Sequence, residues 1–176
     1  MSDWPTAVGS VSGGAVVGVL ALVGERLRAR ARRRERWLDL RRELAVRFLD
    51  AIEEIHRWAT QGTNLMVSET TGSPTVTIEG VSSWMDASAK LGAADASVRA
   101  LAVEIGLVGS REERSAARRL REAVWTATSA YARTFDDVDD EKRKENVGQR
   151  DETLQEYMAA RESFEEIVRQ GLTGEG

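Results

Sequence analysis

The sequence predicts an all-α protein: an N-terminal transmembrane helix that continues into a long helix of an antiparallel up-down bundle of about four helices. Three observations carry this. Twenty consecutive residues, 5–24, hold no charge. Behind them, apolar residues recur three and four apart in four separate segments, the period of an amphipathic helix. Only residues 75–78, TVTI, alternate like a strand, and a lone strand has nothing to pair with.

The uncharged run has the length of a membrane span, since a hydrocarbon core of about 30 Å needs about 20 residues at 1.5 Å each. Its stronger half is residues 15–23; the first half is rich in Gly and Ser. Trp4, just ahead, suits the membrane–water interface. A secretory signal would carry its positive charge before the apolar stretch. Here the charge comes after, at Arg26, Arg28, Arg30, Arg32, Arg33, Arg34 and Arg36. The positive-inside rule then places the N-terminus outside and the bulk of the chain in the cytoplasm, anchored once in the plasma membrane. Gly9 and Gly13, and the row Ser10, Gly14 and Gly18, have the small-xxx-small spacing that lets helices meet closely in lipid. They are the candidate contacts for a homo-oligomer formed through this helix.

Residues 1–24 are thus read as tail and span, and 25–43 as a basic juxtamembrane collar. The helical bundle is read as 44–170, with loops near 69–80, 106–110 and 136–150, and 171–176 as a frayed end. Arginine outnumbers lysine by 22 to 3. GC-rich coding produces that bias unaided, so only the clustering of arginine carries meaning. Next to a span the collar serves as a stop-transfer signal. It also attracts anionic headgroups, at about 1 kcal/mol per basic residue near the surface. The rival partner for a basic helix that runs into a heptad-like apolar pattern is nucleic acid. Against it, the collar lacks Asn and Gln to read base edges.

The first bundle helix carries Leu44, Phe48, Ile52, Ile55 and Ala59, and is expected to run to about Thr60 and fray over 61–68 because of Gly62 and Asn64. The second, 81–105, carries Trp84, Ala87, Leu91, Ala94, Val98, Leu101 and Ile105. Gly106 is expected to end it, and Ser110 with Glu113 forms a capping box for the next. The third, 111–135, shows Ala117, Leu120, Val124, Ala127, Tyr131 and Thr134. Residues 136–150 are dense in charge and read as a solvated connection. The fourth, 151–170, shows Leu154, Tyr157, Met158, Arg161, Phe164, Ile167 and Val168.

The Gly/Ala/Val span, the run ERLRARARRRERW and the connector IGLVGS before EERSAARRL resemble the layout of uncharacterised small membrane-anchored helical proteins of high-GC Gram-positive bacteria. The resemblance implies an anchor and a helical domain, and no activity or functional residues.

Candidate chemistry is thin. Glu53 and His56 form an E-x-x-H pair, the spacing of di-metal carboxylate bundles, but such sites need a second pair and His56 is the only histidine. GSVSG, 9–13, spells the nucleophile-elbow motif without the strand–turn–helix context it requires. Glu165 and Glu166 are the weak hint of an enzyme with an illegible site. Trp37, Trp58, Trp84 and Trp125 either line a pocket or fill the bundle core and its ends. There is no Cys, hence no disulfide and no thiolate chemistry, and no cofactor motif. The expectation is a membrane-tethered scaffold or partner-binding protein, without catalysis and without metal or cofactor.

Overall fold

A computed structural model describes residues 11–71, 83–135 and 140–173. All the described secondary structure is helical: α1 (Val11–Thr71), α2 (Trp84–Val108), α3 (Arg111–Arg133) and α4 (Asp140–Thr173). The chain divides into two compact units, Met1–Leu40 and Arg41–Gly176.

In the first unit the described residues belong to α1. Among the described residues no helix is long and apolar enough to cross a membrane. The described helix begins at Val11, so fourteen uncharged residues precede Glu25. The rest of the uncharged run, with Gly9 and Ser10, lies outside the described residues, while Gly13, Gly14 and Gly18 are in α1.

The second unit is a four-helix bundle. Leu44, Phe48, Ile52 and Ile55 of α1 are buried on one face, as their spacing predicts. They meet Val98, Leu101 and Ile105 of α2, Leu120 and Val124 of α3, and Tyr157 and Phe164 of α4. The Phe48 and Phe164 rings sit 5.3 Å apart at the centre. Contacts fix the topology. Phe48 faces Phe164 and His56 faces Tyr157, so α4 runs against α1. A Cβ added at Gly62 would meet Ala87 and Lys90 covers Trp58, so α2 also opposes α1. Arg41 pairs with Glu113 and Tyr131 donates to Asn64, so α3 runs with α1. This is the up-down arrangement.

Three boundaries and one helix face differ from expectation. α1 does not fray at Gly62 but continues to Thr71. Gly62 is where α2 comes close: a Cβ there would lie 3.2 Å from the Ala87 Cβ. Leu65 is buried on the same contact, and Asn64 accepts the Tyr131 hydroxyl at 2.8 Å. Packing has overridden weak propensity. Next, α2 runs through Gly106 and stops at Gly109, whose N–H reaches the Ile105 carbonyl at 2.7 Å. The capping box follows at once: Glu113 N–H donates to Ser110 Oγ at 3.1 Å, and Ser110 N–H to Glu113 Oε2 at 2.8 Å. Residues 140–150, read as a solvated link, are helical. Glu, Lys and Arg are good helix formers, and an exposed helix shows no apolar period. Asn146 there donates to the Arg133 carbonyl at the end of α3. Finally, Leu154 and Met158 are exposed. The buried row of α4 is Thr153, Tyr157 and Phe164; Leu154 and Met158 stand one residue, about 100°, off it.

Candidate interaction surfaces

All seven collar arginines are exposed on α1. Among the described residues none of them takes part in a hydrogen bond or an ion pair. Helical spacing sorts them. Arg26, Arg30 and Arg34 make one row at four-residue steps. Arg28, Arg32 and Arg36 make another, about 160° around the helix. Like charges at this spacing cost an isolated helix about 0.2–0.5 kcal/mol per pair. The collar therefore presents cations on two faces at a local cost. Leu27, Trp37 and Leu40 stand exposed among them.

Arg41 and Arg42, at the end of the segment 25–43, belong to the second unit. Arg41 is not a surface cation. Its guanidinium pairs with Glu113, their side chains 14 % and 4 % exposed, and also reaches the Gly171 carbonyl at 3.5 Å. Glu113 thus serves both Ser110 in the capping box and Arg41. Sequence spacing held a signal for both. Arg41 lies three and seven residues before Leu44 and Phe48, and Glu113 four and seven before Ala117 and Leu120, so each is on the buried face.

Glu53 and His56 lie on α1 facing α4. Glu53 accepts from Arg161 at 2.5 Å, and Arg161 also donates to Glu165 at 3.0 Å. The imidazole stacks on Tyr157, centroids 5.3 Å apart at 24°. Its Nδ1 is buried with no hydrogen-bond partner, and burial pulls its pKa down. Burial likewise pushes the Tyr157 phenol up, against the opposing pull of Arg161. Among the described residues no group of three or more His, Asp and Glu gathers. Glu166 pairs with Arg169 and accepts from Gln170. Both acidic residues of the weak catalytic hint are thus tied up in helix-surface pairs.

The tryptophans divide. Trp37 lies in the first unit, half-exposed. Trp58, Trp84 and Trp125, from α1, α2 and α3, come together around an open groove of about 310 Å³ whose lining includes Met66, Leu91 and Ala132. No charged side chain lines it. Lys90 sits 4.3 Å over the Trp58 ring, and Trp125 Nε1 donates to Asp95 at 3.3 Å. The volume suits a small apolar group, a partner's side chain included. Periodicity did not show that three separate tryptophans meet, because that depends on how three helices are aligned.

No family model, curated protein or solved structure matches this chain.

Proposed function

We propose that the protein is a single-pass, membrane-tethered helical scaffold: its N-terminal segment spans the plasma membrane with the N-terminus outside, and its bundle binds a protein partner in the cytoplasm without catalysis. One observation carries the reading. Seven exposed arginines, without partners among the described residues, follow an uncharged run of twenty residues. Cations left unpaired at the end of such a run are suited to anionic headgroups and resist transfer across the bilayer. The uncharged groove beneath Trp58, Trp84 and Trp125 supports the second half of the proposal, as a socket for an apolar partner group.

Fractionation of cells expressing the full chain tests the tether. It should stay with membranes through high-salt and carbonate washes, and a C-terminal reporter should be protected in right-side-out vesicles. Full release by salt refutes the span. Changing Arg28, Arg32 and Arg36 to Gln should weaken binding to anionic vesicles about 100-fold, from about 1 kcal/mol per arginine. The same arginines suit a nucleic-acid backbone. Binding to duplex DNA with a steep salt dependence, and none to vesicles, would replace the membrane reading with that one.

A further inference from the structure

We propose that the cleft between α1 and α4 at His56 is a binding site for a small organic monocarboxylate: its acid pairs with Arg57 and Arg161, and its compact apolar body packs on Leu154 and Met158.

The cleft holds about 430 Å³, within the range of small-molecule sites, and shares no lining residue with the tryptophan groove. Two rows of α1 form one wall. Glu53, Arg57 and Gln61 stand at four-residue steps, with His56 and Thr60 beside them. α4 forms the opposite wall. Because the two helices run antiparallel, Arg161 lies beside Glu53 and Tyr157 beside His56. Leu154 comes a further turn along, toward Thr60. The cleft is therefore ionic at one end and apolar at the other.

Charge at the ionic end fixes the sign of the ligand. Arg161 is shared between Glu53 and Glu165. Arg57 is exposed and, among the described residues, makes no ion pair or hydrogen bond, although Glu53 and Glu54 lie within a turn of it. Burial keeps His56 neutral. The charged side chains lining the cleft are Arg57 and Arg161 against Glu53, and Glu165 does not line it. One positive charge is left over, which a single carboxylate balances. A phosphate group, at about −1.5 to −2 near neutral pH, would overshoot it. A free guanidinium also matches the carboxylate fork with two parallel N–H donors. At the apolar end, Leu154 and Met158 are 38 % and 52 % exposed, standing off the buried row of α4. An apolar group resting on them takes both out of water. Gln61 Oε1 and His56 Nδ1, of two residues in the same lining, are buried without hydrogen-bond partners. Native interiors rarely leave such atoms unmatched, and here two do so in one cleft.

His56 is the chain's only histidine, so the magnetic resonance signal of an isotope-labelled imidazole reads this cleft and not the arginine collar. In the full chain in zwitterionic detergent, phenylacetate and hexanoate should shift that signal saturably. Phenylacetamide, the uncharged analogue of the first, should bind about tenfold more weakly or less. Arg57→Gln should weaken both acids about tenfold, the lower end for a hydrogen bond to a charged group. Met158→Asp, which sets a like charge beside the ligand, should weaken them too. Both substitutions are at exposed positions and should leave helical circular dichroism unchanged. Three results would overturn the inference: no shift of the imidazole signal by either acid at tens of millimolar, phenylacetamide binding as well as phenylacetate, or affinities that either variant leaves unchanged.

Discussion

Replacing Glu113 by leucine removes two sets of contacts at once. One is the reciprocal cap on Ser110, where the carboxylate accepts the Ser110 N–H at 2.8 Å. Losing a capping contact costs about 0.5–2 kcal/mol. The other is the ion pair with Arg41, whose side chain is only 14 % exposed and whose Nε already lacks a partner. Removing one member of a buried pair costs about 3–5 kcal/mol, because the other charge is left stranded. The Gly171 carbonyl, at 3.5 Å, offers it weak compensation. The expected total for E113L is about 3.5–7 kcal/mol, a large part of the 5–15 kcal/mol that holds a domain together. R41M/E113L should be less damaged than E113L alone, since nothing charged is then stranded. Urea unfolding of the full chain in detergent, followed by circular dichroism, reads both. If E113L costs under about 1 kcal/mol, or the double variant is worse than the single, the pair is not the lock described here.

Two further outcomes follow from other sites. His56 is held neutral by burial, its pKa below the ordinary 6.5. In the window from 6.5 down to that lowered value the unfolded chain binds the extra proton, so stability rises with pH there and is lost on acidification. H56F should flatten the pH dependence of urea midpoints between pH 5 and 8, and an unchanged slope would refute the assignment. Gly109→Ala should cost about 1–3 kcal/mol by the same assay, since its Cβ would lie 2.7 Å from both the Ile105 carbonyl oxygen and Glu113 Oε2. Gly92→Ala, with open space around it, should leave stability equal or better.

The parts of the fold legible in the sequence were those that repeat. The core rows of α1 and α3, that of α2 from Ala87 onward, and the Ser110–Glu113 cap follow from spacing, whereas Trp84, expected at the head of the α2 row, is exposed. What escaped was polar or set by another helix. The start of α4 at Asp140 is a helix with no apolar period to betray it. Gly62 looked like a breaker because the benefit of a missing side chain comes from Ala87, on another helix. Arg41 falls inside the segment read as a basic collar, although its place three residues before Leu44 puts it on the inner face.

The link between α2 and α3 consists of Gly109 and Ser110 alone, both already committed to the helix ends. Such a join has no slack. A tag or reporter grafted there could be accommodated only by unwinding a turn on either side, and a protease would find no loop to seize. The pair should therefore behave as one rigid lever, so a pull on the tip of α2 would arrive at the root of α3 undiminished.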